Sequence, residues 1–298
     1  MDSLTNVAIN SVITAVFHPI GYSKVLIQLG HEPISPIKCK TWFGLGKEGL
    51  CYPNILSYTN HIWKTEGLFG MYVGFLPRLI GGQIGNFFQN RVMMELQEDK
   101  KSHDKEDEEP EDWKKVLVVR TAKESVSKCV GVVFSQPFHV LMIRQMAQYV
   151  GGETQYNGLF TGMVEIYHQD GIKGLFSGLI PRLIGELIQI WLGNIIVEVI
   201  NKYLVDNKDY ASYTNGVVGL IVAPFSYPFT LVANIMTIAG TDLIAANPPN
   251  MRPVSGWREC YVNLKTEKQL NRGSKSFFRY AMLPKGQYVA MGRHIQKF

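Results

Sequence analysis

Five long runs of mostly apolar residues, each with polar residues along one side, divide this chain. They predict helices over 4–29, 78–97, 115–149, 182–204 and 211–244. A helix of about 20 residues spans roughly 30 Å of hydrocarbon, so each run is long enough to cross a bilayer. The polar positions recur three or four apart, the spacing that puts side chains on one helix face. The first run carries Asn6, Asn10, Thr14 and His18, with Lys24 beyond them, and the second carries Gln83, Asn86 and Asn90. The third carries Arg120, Glu124 and Lys128, with His139 further along. The fourth carries Glu186, Gln189, Asn194 and Glu198, and the fifth Ser226, Thr230 and Asn234.

Ionisable groups cost about 2.5–3.5 kcal/mol each at the centre of a membrane helix. The polar faces should therefore turn toward one another and toward water, enclosing a hydrophilic cavity. Taken singly, Ser, Thr and Asn read equally well as helix-to-helix hydrogen bonders. The charged set of Lys24, Arg120, Glu124, Lys128, Glu186 and Glu198 asks for more, although Arg120, Glu124 and Lys128 can pair along their own helix.

A repeat underlies the pattern. Pro19, Pro137 and Pro228 fall inside the odd-numbered helices, where each removes a backbone hydrogen bond and kinks its helix. Downstream come Glu66-Gly67 through Gly74 and then Pro77-Arg78, and Asp170-Gly171 through Gly178 and then Pro181-Arg182. A weaker copy runs from Arg272-Gly273 to Pro284. Pro181 follows Pro77 by 104 positions, and Pro284 follows Pro181 by 103. Self-similarity at a fixed period predicts a pseudo-threefold bundle. Short helices are expected over 52–66 and 158–170, each ended by a C-capping glycine, Gly67 or Gly171. The repeats divide as 1–97, 113–205 and 206–298. Between the first two lies 98–112, with nine acidic and three basic residues, which reads as a solvated linker.

The third repeat runs out. Fourteen residues follow Pro284, and they include Lys285, Arg293 and Lys297, too short and too charged for a spanning helix. From Asn247 onward ten Lys or Arg face only Glu259 and Glu267, a balance suited to a membrane surface. The expectation is an all-α membrane protein with five transmembrane helices and no sixth. Composition agrees: 46% of the 298 residues are hydrophobic and 18% charged, below the usual quarter for soluble domains. A soluble helical repeat protein is the alternative that composition leaves open. Cys39, Cys51, Cys129 and Cys260 have no metal-like spacing and imply neither a zinc site nor a disulfide framework. The acidic, arginine-free start resembles no secretory signal or mitochondrial presequence. No nucleophile, metal or cofactor constellation surrounds His18 or His139, so catalysis is not expected, and nothing points to a nucleic-acid partner.

The proline signature resembles the mitochondrial carrier family, whose pattern is Pro-x-acidic-x-x-basic on odd helices followed by acidic-Gly and aromatic-basic-Gly. The departures are informative. The family's acidic positions are Gly21, His139 and Thr230 here; its basic positions are Lys24, Met142 and Ala233. One lysine and no carboxylate cannot form the family's ring of three gating ion pairs. The basic residue before the last glycine is replaced by Val73 and Ser177. This combination is similar to a divergent branch of the family resident in the outer mitochondrial membrane. That resemblance implies insertion of tail-anchored and other α-helical proteins, lipid scrambling and docking of a cleaved pro-apoptotic BH3 protein.

A missing sixth helix gives two of these a physical basis, because one side of the polar lining is then open to lipid. The expected partners are hydrophobic client helices with short polar flanks, and membrane lipids. The groove residues expected to hydrate a flank or a headgroup are Asn10, Thr14, His18, Lys24, Arg120, Glu124, Lys128, His139, Glu186, Gln189, Asn194, Ser226, Thr230 and Asn234. A small-solute carrier using alternating access and a receptor or scaffold working through its loops are the competing functions.

Overall fold

The computed structural model describes residues 2–40, 48–103, 113–203, 208–277, 279–280, 289–291 and 294–296. Among these, eight helices carry the architecture: α1 (Asp2–Leu29), α2 (Ile55–Gly70), α3 (Phe75–His103), α4 (Trp113–Ala147), α5 (Phe160–Leu175), α6 (Leu179–Tyr203), α7 (Lys208–Ile238) and α8 (Trp257–Thr266). The long helices α1, α3, α4, α6 and α7 match the five expected spans. Four of them, all but α3, are apolar enough over their length to cross a membrane by composition. The helix α3 is 29 residues long but is diluted by Gln83, Asn86, Gln89, Asn90 and Arg91. It runs on through His103, so the first six residues of the expected linker 98–112 are helical; the remainder lies outside the described residues.

The three repeats share their construction. Pro19, Pro137 and Pro228 sit inside α1, α4 and α7, with Pro224 as a second proline in α7. The residue before each proline reaches a backbone carbonyl in its own repeat. His18 Nε2 lies 3.0 Å from the Val73 oxygen, Gln136 Nε2 donates to Ser177 O at 2.7 Å, and the Tyr227 hydroxyl donates to Arg272 O at 2.6 Å. Gly67 (φ 71°) and Gly171 (φ 66°) break the short helices as expected, and a further helical turn follows each.

Gly74 and Gly178, also at positive φ, serve a different purpose. A Cβ on Gly74 would lie 3.1 Å from Met142 O, and one on Gly178 would lie 2.4 Å from Ala233 O. Each glycine thus lets the end of one repeat lie against the odd helix of the next, five residues past that helix's proline.

The helices pack unequally. α3 lies along α4, and α6 along α7, as two extensive pairs. At one crossing a Cβ on Gly131 would meet Gly85 O at 2.6 Å, so the backbones of α3 and α4 nearly touch. α1 has no such companion. Its C-terminal half is buried at Tyr22, Leu26, Ile27 and Leu29, whereas none of its residues from Ala8 to Phe17 is buried.

A small sheet adds to the helical frame. β1 (Ile37–Lys40) pairs antiparallel with β2 (Glu48–Tyr52), and β2 with β3 (Arg279–Tyr280), so the end of repeat three is joined to repeat one. A second hairpin, β4 (Val289–Met291) with β5 (His294–Gln296), stands among the last residues, where no helix follows α8 in the described chain. These strands went unforeseen because each is five residues or shorter. Cys51 in β2 is disulfide-bonded, contrary to the reading of the cysteines, while Cys129 and Cys260 are free.

Two ion pairs secure the loops. Arg144, 1% exposed, donates to Asp170 at 2.6 Å, to Thr237 O and to the Tyr156 hydroxyl, tying α4 to α5 and α7. Removing one partner of such a pair leaves a buried charge uncompensated. Asp170→Ala leaves the buried Arg144 guanidinium in that state and is expected to cost about 3–5 kcal/mol, read as a lower thermal midpoint in detergent. An unchanged midpoint would make the pair energetically idle.

Glu32 pairs with Arg279 across the β2–β3 junction. Burial pushes its carboxyl up to about 7, against the pull of Arg279 and Arg272. A carboxyl raised on folding stabilises the folded state fully below its unfolded value and loses that contribution as pH rises through 7. Wild-type protein should therefore lose more thermal stability than Glu32→Gln between about pH 5 and about pH 8. Parallel pH dependences in the two proteins would contradict this.

Candidate functional site

A cavity of about 410 Å3 lies where α1, α3, α4, α6 and α7 converge. Of the residues expected to line a polar groove, Lys24, Lys128, His139, Glu186, Thr230 and Asn234 meet there. Lys24, His139, Thr230 and Asn234 lie within six residues past the proline of their helix, and Lys128 nine before Pro137.

The remaining candidates lie elsewhere. Glu124 accepts from Asn194 at 2.7 Å, joining α4 to α6, and Ser226 donates to Gln189 at 2.9 Å, joining α6 to α7. Those four act as interhelical hydrogen bonders, the simpler reading of such residues. Arg120 is exposed, and so is Asn10, whose carbonyl accepts from the part-exposed Thr14 hydroxyl. His18 is fully buried, stacked on Tyr72 with Phe75 at its edge, and faces Val73 rather than the cavity.

Sequence reasoning missed several lining residues, among them Gln28, Arg78, Gln89 and Arg182. Three carried a signal. Gln28 is four past Lys24 and shares its face. Arg78 and Arg182 follow equivalent prolines in the repeat, and their recurrence marked them as structural without indicating where they point.

The cavity is electrostatically lopsided. Lys24, Arg78, Lys128 and Arg182 stand against the single carboxylate Glu186, which is 3.6 Å from Lys128. Arg182 donates to Gln136 Oε1 at 2.8 Å, and Lys24 lies over the Tyr227 ring. Arg78 fills space that a side chain at position 21 would need: a Cβ on Gly21 would sit 2.6 Å from its Nη1. A missing carboxylate is thus matched by an arginine in its place.

The floor is closed by neutral groups. His139 Nε2 lies 3.1 Å from Asn234 Oδ1, Asn234 Nδ2 donates to Gln28 Oε1 at 2.7 Å, and Gln28 Nε2 donates to the Tyr227 hydroxyl at 3.1 Å. This chain of hydrogen bonds links α4, α7 and α1 at the level where a ring of ion pairs was ruled out by the sequence. Neutral hydrogen bonds in a network hold geometry with no charge to be neutralised on closure. On α1 these contacts use Lys24 and Gln28, both beyond Pro19, and on α7 they use Tyr227 and Asn234, on either side of Pro228. Among the described residues no cluster of three His, Cys, Asp or Glu could hold a metal ion.

Comparison with known proteins gives this geometry a lineage. Residues 121–208 match the model of the mitochondrial carrier protein family. Mitochondrial carrier homolog 2 of Homo sapiens is 32% identical over 290 residues, covering 93% of this chain and 94% of that protein. Mitochondrial carrier homolog 1 of Mus musculus is 30% identical over 295 residues, covering 92% and 75%. A 59-residue stretch, 20% of each chain, is 44% identical to the mitochondrial 2-oxodicarboxylate carrier of Rattus norvegicus. Likeness over the full length, the threefold proline repeat and the helical membrane fold agree: this chain is a mitochondrial membrane protein of the carrier-like family, and belongs with the mitochondrial carrier homologs.

Proposed function

We propose that the protein inserts tail-anchored and other α-helical proteins into the outer mitochondrial membrane, and that lipid headgroups cross by the same route. The observation that carries this reading is the pairing of a polar cavity with a helix, α1, whose first half is not buried. α3 with α4 and α6 with α7 form pairs, while α1 stands exposed from Ala8 to Phe17. A client's apolar helix can lie against that stretch of α1 while its short polar flank passes through the cavity. Hydrated side chains there lower the several-kcal/mol cost of carrying polar groups through hydrocarbon.

The neutral floor disfavours the competing solute carrier. Alternating access needs two states of comparable energy. A hydrogen-bonded chain with no ion pairs to exchange supplies one stable closed state on that side. The route needs no covalent chemistry, in keeping with the non-enzymatic character of carrier relatives.

The test is reconstitution. Purified protein in liposomes is offered a tail-anchored client, and protease protection of the client is measured beside flipping of a fluorescent lipid. Protection and flipping above protein-free liposomes are expected. Neither activity, with gated uptake of a metabolite in their place, would return the chain to the solute carriers.

A further inference from the structure

Two of the four cations in the polar cavity have no anionic partner. Lys128 is taken by Glu186, and Lys24 lies over the Tyr227 ring. Arg78 forms no ion pair among the described residues. Arg182 gives its hydrogen bonds to neutral acceptors, Gln136 Oε1 at 2.8 Å and Ser135 Oγ at 3.4 Å, and Glu186, four residues on along α6, acts on it through space. Arg78 and Arg182 hold the same place in two repeats, one residue after Pro77 and Pro181 in the first turns of α3 and α6. Both charges act on His139 of α4, the helix that packs against α3 and α6. The two guanidiniums therefore share one level of the cavity, and each side chain is part-exposed.

The wall from α3 supplies an independent observation. Gly81, Gly82 and Gly85 all line the cavity. Packing explains two of them: a Cβ on Gly81 would meet Phe138 at 2.7 Å, and one on Gly85 would meet Gly131 O at 3.2 Å. A Cβ on Gly82 would meet nothing within 4 Å. Glycine weakens a helix interior, and packing gives no reason for it at 82. Its bare surface lets another backbone lie close to the helix.

Taking the insertion route as given, we propose that the cavity captures the α-carboxylate that ends a tail-anchored client, with Arg78 and Arg182 as its partners and Gly82 leaving room for the last residues. The flank of such a client is the end of its chain. Its α-carboxyl has an ordinary pKa of about 3.3–3.7, so it crosses as an anion at neutral pH unless something neutralises it. Bare, it is among the costliest groups to carry through hydrocarbon. Guanidinium meets carboxylate in paired, planar hydrogen bonds. Glu186 competes for the same cations, which keeps the capture reversible.

The experiment uses the full chain in a nonionic detergent and labelled single-span peptides with an uncharged flank of about three residues. One peptide ends in a free acid, one in a carboxamide, and one in a carboxamide with aspartate placed next to the apolar helix. The free acid should bind about tenfold tighter than the carboxamide, the size of a charge-assisted hydrogen bond, and the aspartate peptide should resemble the carboxamide. In Arg78→Gln/Arg182→Gln the advantage of the acid should vanish, with glutamine at 182 keeping a donor for Gln136. A second cavity, of about 590 Å3, lies beneath α8 at the ends of α1 and α7 and has its own cations; Arg252→Gln there controls for net charge and should keep the advantage. Gly82→Leu, which fills the cavity without meeting the fold, should weaken all three peptides. Acid and carboxamide binding alike to wild type needs no variant to read and would overturn the assignment. So would an advantage that survives the double arginine variant, one lost equally in Arg252→Gln, or unchanged binding to Gly82→Leu. An aspartate peptide equal to the acid would overturn the chain end and leave a side-chain carboxylate site. Protease protection of the same clients in liposomes is read separately. Acid-selective binding without protection would support the site and remove the insertion route; protection without acid selectivity would overturn the site and keep the route.

Discussion

Glu186→Arg is expected to cut client insertion several-fold while leaving the bundle folded. Glu186 is the one carboxylate lining a cavity that holds Lys24, Arg78, Lys128 and Arg182. Its bond to Lys128 is 3.6 Å long, and both side chains are 33% exposed, so solvent screens the pair. Losing it should cost the fold about 1 kcal/mol or less. The effect on passage is larger. An arginine there leaves a cavity with cations only. Two like charges about 4 Å apart repel by about 4 kcal/mol at an effective dielectric of 20, and less where water enters. A flank bearing lysine or arginine then meets a barrier in the region that was meant to hydrate it. Protease protection of a tail-anchored client in liposomes reads this directly. The charge swap Lys128→Glu/Glu186→Arg restores the pair and should recover part of the yield. A swap no better than the single variant would show that the balance of charge in the cavity does not govern passage.

Gly178→Ala is expected to destabilise the protein by about 3 kcal/mol or more, the sum of two costs. Its φ is 73°, a left-handed conformation that costs an L-residue roughly 1–2 kcal/mol. Its new Cβ would lie 2.4 Å from Ala233 O, a clash with helix backbone toward the C-terminal end of α7. Relieving an overpacked contact of that kind costs about 1–3 kcal/mol more. The control is Gly193→Ala in α6, where a Cβ meets nothing within 4 Å. Alanine in a helix interior is favoured over glycine by about 1 kcal/mol. Thermal unfolding in detergent should therefore move down for Gly178→Ala and hold or rise for Gly193→Ala. Equal midpoints would mean that the contact between repeats is not a determinant of stability.

Much of the architecture was legible because it is periodic. Three prolines in phase placed α1, α4 and α7. Half-legible features were those where periodicity gives a face without a neighbour. Helical spacing put Glu124 and Asn194 on polar faces correctly, yet only packing shows that they bond each other at 2.7 Å and leave the cavity to Lys128 and Glu186. His18 misled for a related reason. It ends a stripe four residues apart, but the proline after it turns the helix, and its ring packs between Tyr72 and Phe75. The β1–β2–β3 sheet and the cation-lined pocket beneath α8 were illegible. The β2–β3 pairing and the pocket are made by residues more than 200 positions apart, such as Cys51 with Tyr280 and Ile27 with Arg272, and no local pattern reports such meetings; β1 and β2 are each too short to show a period.

The central claim is that a client enters beside α1, along its unburied stretch from Ala8 to Phe17. Photo-crosslinking during insertion tests it most directly. A photoreactive amino acid is placed at Val12 or Val16, each 63% exposed on α1, or at Val133 in α4, 36% exposed. The apolar helix of a tail-anchored client is then followed in reconstituted liposomes. Adducts from Val12 and Val16 that appear during insertion, exceed those from Val133, and fade in the Glu186→Arg variant are predicted. Client protection without any adduct to α1, or equal adducts at all three positions, would contradict lateral entry at this helix.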